Sequence, residues 1–197
     1  MKRRTFDLMV SWGGLILAAV FAVSGVLLLV GYNYANSTVH TQLAAQQIYF
    51  PPAGSDALKP ADIGPYLNTY AGQQLVNGQQ AEVYADHFIA VHLKEVAGGQ
   101  TYAQVSGKAL ADPNNAQLQG QVATLFKGET LRGLLLDAYA FWKMGQIALW
   151  AAFGAFAAAF VLGLFSIMGF WHLRKVKPEQ EIGVGHPAET NLTAVAS

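Results

Sequence analysis

The sequence predicts an all-α membrane protein in which two transmembrane helices flank an extracytoplasmic helical domain. Three observations carry this expectation. Two apolar runs, residues 8–31 and 147–171, contain no charged residue, and each exceeds the roughly 20 apolar residues a helix needs to cross a bilayer. Basic residues stand outside both runs, with Lys2, Arg3 and Arg4 before the first and Arg174, Lys175 and Lys177 after the second. Between the runs no stretch alternates apolar and polar residues long enough to require a strand.

The first run, as span 8–31, has to satisfy its own backbone in lipid and is therefore helical. Basic residues next to spans are retained in the cytoplasm, so segment 1–7 is expected inside the cell. The alternative for this run is a cleaved signal peptide, since Ala35-Asn36-Ser37 loosely imitates a cleavage site. The run, however, is longer than the roughly 7–15 residues of a signal core. Trp12 and Tyr32 with Tyr34 mark its two ends as interfacial aromatic residues.

Segment 32–145 is then extracytoplasmic, with six basic and eight acidic residues, a net of −2. It opens with "NYANSTVHTQLAAQQ", a helical extension of the first span whose Tyr32, Ala35, Val39 and Leu43 share a face. Pro51-Pro52 is expected to end it. "QQIYFPP" reads as a short extended piece. Gly64-Pro65 suits a helix start, because proline at the first helical position sacrifices no needed hydrogen bond. Asn77 with Gln80 opens a further helix, which Gly98-Gly99 closes. Thr101 with Gln104 has the form of a capping box. The stretch 112–115, "DPNN", breaks the chain before a helix around Leu118, Val122, Leu125 and Phe126. Finally, "ETLRGLLLDAYAFWKMG" offers an apolar face of Leu131, Leu134, Leu135 and Ala138 and runs unbroken into the second span, 146–171.

Trp142 with Lys143 and Trp171 mark the ends of that second span. Residues 172–197 form a cytoplasmic basic segment and a polar, aperiodic tail read as disordered. The tail's length, about twenty residues, is below the roughly 50 a folded domain needs, which disfavours a receptor with its own signalling domain.

Each span carries small residues at spacings of three and four: Ser11, Gly14, Ala18, Ala22 and Gly25 in the first, and Ala155, Ala159, Gly163 and Ser166 in the second. Such rows let helix backbones approach closely in lipid. Gly14, Ala18, Ala155, Ala159 and Gly163 are the candidate helix-packing residues, serving either an intramolecular hairpin or another subunit. Ala151, Gly154 and Ala158 form a second row on the same helix. Expected partners are therefore the lipid bilayer and a membrane protein or a second copy of this chain, at the plasma membrane.

Composition narrows the chemistry. Hydrophobic residues make up 53% of the chain and charged ones 12%, about half the charged share of a soluble protein. Twelve basic residues balance twelve acidic ones, so nucleic acid is not an expected partner. The chain has no cysteine, which excludes disulfides and thiolate chemistry. No serine-hydrolase elbow, phosphate-binding glycine loop or dinucleotide fingerprint occurs. Within the spans the polar side chains of note are Ser11, Ser24 and Ser166, whereas ion pathways use ionisable residues.

The richest stretch chemically is "DHFIAVHLKE", residues 86–95. On a wheel of about 100° per residue, Ala85, Phe88, Ile89, His92 and Val96 share one face and His87 lies nearly opposite. His92 is read as a buried histidine bonded to a carbonyl or carboxylate, and His87 as solvated. His92 and Glu95, three apart, are metal candidates only if His40 or another carboxylate joins them in a two-histidine, one-carboxylate iron site. No cofactor and no catalytic residue are expected.

Taken together, "MKRRTFD", "QLAAQQIYFPP", "YADHFIAVHLKEVAGG" and "LRGLLLDAYAFWKMGQIALW" resemble a family of small two-span membrane proteins of actinobacteria. The likeness covers most of the chain except the tail. Members are often labelled as an aromatic ring-opening dioxygenase of the LigA type. In ring-opening enzymes of that class the large subunit supplies the iron ligands and the small helical subunit none. The resemblance therefore implies the two-span topology and transfers no catalytic residue. The expected role is a non-catalytic accessory or scaffold component of a membrane assembly; the alternatives are a non-haem iron dioxygenase-related protein or its small subunit, and a sensor of a small ligand.

Overall fold

The structure, a computed structural model, describes residues 3–175; the 178–197 tail, with His186, lies outside them, as do Lys2 and Lys177. The described residues are 81% helical and contain no strand. In order they form α1 (Arg3–Ala45), α2 (Gly64–Leu67), α3 (Gly78–Tyr84), a π-turn (Ala85–Ile89), α4 (Ala90–Val96), α5 (Tyr102–Ala111) and α6 (Ala116–Leu173). They divide into two compact units. One comprises the described residues of Met1–Val26 and Ala152–Ser197, the other Leu27–Ala151.

The first unit pairs two apolar helical segments long enough to cross a membrane. Their direction follows from three close approaches: Ser11 to Gly169, Gly14 to Ser166 and Gly25 to Phe156. Rising numbers on one helix meet falling numbers on the other, so the pair is antiparallel. The polar and small residues face inward, with Ser11, Ala18, Gly25, Ala152, Ala155 and Ser166 buried. Leu17, Val20, Val23, Phe160, Phe165 and Ile167 face outward. This inverts the water-soluble pattern, in which large apolar side chains provide the core.

The second unit has an ordinary hydrophobic core. Val39 and Leu43 of α1, Phe50, Leu67, Leu75, Leu93 of α4, and Leu125 and Leu135 of α6 are among its buried side chains. Several expected boundaries are present. Asn77 Oδ1 accepts the Gln80 amide at 2.9 Å, and Gln80 Oε1 in turn accepts the Val76 amide at 2.8 Å. Thr101 and Gln104 form the reciprocal capping box, and the Gly99 amide returns to the Lys94 carbonyl at 2.8 Å to close α4.

Four boundaries or faces differ from the sequence reading. First, α1 ends at Ala45, well before Pro51-Pro52. Gln47 takes a left-handed φ of 52°, and Gln74 Nε2 donates to the part-buried Ala44 carbonyl at 2.9 Å. A side chain thirty residues away thus supplies the cap, a signal local sequence does not carry. The extended piece then pairs antiparallel with 73–75, through Phe50 N to Gln73 O and Leu75 N to Ile48 O, each 2.9 Å.

Second, the helix around Leu118 and the one expected at 129–145 are a single 58-residue α6. Third, its inward face keeps Leu135 and Ala138 of the expected set but not Leu131 and Leu134. Leu131 and Leu134 are exposed, as is Phe126, while Leu125, Gly128, Arg132, Leu135 and Trp142 turn inward to varying depth. Arg132 at an inward position misplaces a purely hydrophobic wheel. Fourth, Trp142 is packed rather than standing free at an interface. Its ring covers Gly78 so closely that a Cβ there would meet Trp142 Cγ at 2.6 Å.

Candidate functional site

A cleft of the second unit lies beside the π-turn. Five buried residues, Ala81, Ala85, Ile89, Leu93 and Ala97, recur at intervals of four. On an unbroken α-helix each such step drifts by about 40°, roughly 160° over the row. The π-turn adds one residue without advancing the face and so removes about 100° of that drift. Its consequence is specific. Ala85 and Ile89 are buried as the wheel predicts, but beyond the turn every inward position is displaced by one, so Leu93 and Ala97 are buried in place of His92 and Val96.

His92 is therefore exposed, not buried. Its Nδ1 donates to the Phe88 carbonyl at 2.7 Å, at the exit of the π-turn, and its ring lies 4.5 Å from that of Phe88. His87 is not solvated either. It is half-buried and stacked on Tyr66 of α2, with centroids 3.4 Å apart and planes 6° from parallel. Together with Asp62, Asp86 and Lys94 these rings line a cleft of about 320 Å³.

Asp86 is held from below by α6. Arg132 Nη2 donates to Asp86 Oδ1 at 2.8 Å, and Arg132 Nη1 stands 3.6 Å from Glu129 Oε2. The Asp86 hydrogen bond raises the Arg132 guanidinium above its ordinary value; partial burial opposes this, and the charges of Asp86 and Glu129 add to it. Arg132 Nε is buried without a partner. One face of the guanidinium therefore binds the acidic pair while its stem nitrogen is enclosed, which fixes α6 to the π-turn. Nearby, burial pushes the Tyr84 phenol up, where its ring meets Phe50 edge-on at 5.3 Å and Phe88 at 4.8 Å.

The candidate metal set does not converge. His40 is exposed on α1 and Glu95 on α4, and among the described residues no group of three or more histidines and carboxylates is positioned to hold an ion. The cleft offers an aromatic stack, two carboxylates and an ammonium, a combination suited to holding a small polar group or a neighbouring loop.

In the first unit the candidate packing residues fall into two classes. Gly14, Ala18 and Ala155 lie at the helix contact; a Cβ on Gly14 would stand 2.5 Å from Ser166 Oγ. Ala159 is half-buried. Gly163 does not touch α1 within this chain, because a Cβ there meets nothing within 4 Å. The close approach belongs instead to Gly169, over Ser11. The contact row on α6 runs through Ala152, Ala155, Ala159, Ser166 and Gly169, and Gly163 sits on its flank. The serines are self-satisfied: Ser11 Oγ donates to Asp7 O at 2.7 Å and Ser166 Oγ to Leu162 O at 2.8 Å.

No protein-family model, curated protein or solved structure matches this chain.

Proposed function

We propose that the chain is a two-span integral membrane protein with both termini cytoplasmic and residues 32–145 extracytoplasmic, acting non-catalytically as an accessory or scaffold component of a membrane assembly. The observation that carries this reading is the inverted helix pair. The most apolar windows of α1 and α6 have mean hydropathies of 2.6 and 2.2, yet only 11% of each is buried. Water would penalise so much exposed apolar surface by about 25 cal/mol per Å², whereas lipid removes the penalty. Small residues inside then provide the van der Waals contact that holds such a pair. The basic residues flanking both spans set the orientation. Membership of the two-span actinobacterial family is part of the same proposal.

The scaffold role is supported by what the outer unit offers, a packed core and an ion pair, Arg132 to Asp86, that joins α6 to the π-turn. Alkaline carbonate extraction tests the membrane part, and the protein should stay in the pellet. Detergent purification followed by mass spectrometry tests the scaffold part, with a stoichiometric membrane partner expected. A second reading, recognition of a small polar ligand, is favoured by the cleft between Tyr66, His87 and Lys94. A ligand that raises the melting temperature of the full chain and loses this effect in Tyr66→Ala would support it.

A further inference from the structure

The first unit contains a groove of about 510 Å³ at the α1 N-terminal and α6 C-terminal ends. Its walls are mainly apolar, formed by Phe6, Val10, Phe165, Met168 and Trp171. Two opposite charges stand at it. Asp7 lines the groove, and its Oδ2 is buried without any hydrogen-bond donor. Lys175 reaches the groove through Trp171, a residue of the wall, with Nζ 3.8 Å above that ring.

An enclosed carboxylate oxygen that accepts no hydrogen bond is a strong acceptor waiting for a donor. The serine hydroxyls beside it cannot serve, since both already donate to their own helix backbones, and His172, which also lines the groove, makes no hydrogen bond to it. A groove with an apolar floor, an acceptor without a donor and a cation at its wall is complementary to a zwitterionic amphiphile. We propose that this groove seats one inner-leaflet phospholipid whose headgroup ends in a primary ammonium, an ethanolamine lipid. Its ammonium donates to Asp7 Oδ2, its phosphate meets Lys175, and an acyl chain lies along Phe6, Val10 and Phe165. This assignment rests on the two-span membrane reading. It is more specific than general lipid solvation, because a choline headgroup has the same charge but no N–H to donate.

The test uses the full chain in two stages. Carbonate extraction comes first; a protein released from the membrane overturns the membrane reading and this proposal with it. If the protein stays, it is purified in mild detergent, supplied with equimolar phosphatidylethanolamine and phosphatidylcholine of identical chains, and examined by native mass spectrometry. The expected result is one ethanolamine lipid retained about tenfold over the choline lipid, the scale of one charge-assisted hydrogen bond. Asp7→Asn and Asp7→Ser should both reduce the preference to about onefold, with melting temperatures in lipid-free detergent confirming that each variant is folded. Equal retention of the two lipids, or a preference unchanged in both folded variants, overturns the proposal while leaving the membrane reading intact.

Discussion

Gly14 on α1 faces Ser166 on α6 so closely that a single added carbon would stand 2.5 Å from the serine oxygen. The mirrored pair, Ser11 over Gly169, repeats the arrangement one turn away. In each pair a hydroxyl already bonded to its own helix lies against bare backbone, so the helices meet without leaving a donor unpaired in an apolar setting. This geometry separates two glycines that the sequence treats alike. Gly14→Leu or Gly169→Leu should destabilise the helix pair by about 1–3 kcal/mol through overpacking, lowering the melting temperature in mild detergent. Gly163→Leu should leave it unchanged. A large loss at Gly163 with none at Gly14 would contradict the contact row.

The ion pair between Arg132 and Asp86 spans α6 and the π-turn. Both side chains are about a third exposed, 33% and 39%, so solvent screens much of the attraction. A double-mutant cycle with Arg132→Met and Asp86→Asn should give a coupling of about 1 kcal/mol. A coupling near zero would mean the bond is a surface contact and does not fasten the turn.

The π-turn makes a prediction about chain length. Since it holds one residue more than an α-helix needs, deleting His87 should let the segment close as α-helix and keep Leu93 and Ala97 inward, at the loss of the Tyr66 stack. Inserting an alanine after Ala90 should instead rotate both off the core and cost about 2–5 kcal/mol, as for loss of a buried leucine. Circular dichroism melts of the two variants compare them. Equal damage would argue against register compensation.

Tyr84 supplies a pH signature. Burial raises its phenol above the ordinary value of 10.0, so the folded state favours the neutral form. Its contribution is fully present below about pH 10 and is lost as pH rises through the higher folded value. Denaturation midpoints should thus be insensitive to Tyr84 near neutrality and decline above pH 10, and Tyr84→Phe should flatten that decline. An unchanged alkaline slope in Tyr84→Phe would assign the loss to other groups, Tyr139 beside Glu82 among them.

Much of the architecture is legible in the chain itself. The two apolar runs, the Asn77 and Thr101 caps, the Gly98-Gly99 stop and the Ala35, Val39, Leu43 face all rest on local patterns, and local patterns survive folding. What escapes is set by distant partners. The α1 terminus depends on Gln74, and the inward face of α6 is disguised by Arg132, whose partner lies 46 residues earlier. The π-turn is intermediate. Its sign in the sequence is the apolar row 81, 85, 89, 93, 97, a spacing that an α-helix cannot keep on one face. A wheel fitted to 100° per residue picks His92 and misses both the turn and the His87–Tyr66 stack it positions.

The proposed orientation across a membrane is the central claim, and the absence of native cysteine makes it directly measurable. Asn114 is exposed between α5 and α6, and Lys175 is exposed just beyond α6. Single Asn114→Cys and Lys175→Cys variants would be treated with an impermeant maleimide in intact cells and again after lysis. The expected result is labelling of Asn114→Cys in intact cells and of Lys175→Cys only after lysis. The reverse pattern, or labelling of neither before lysis, would contradict an outer 32–145 segment carried by two membrane-crossing helices.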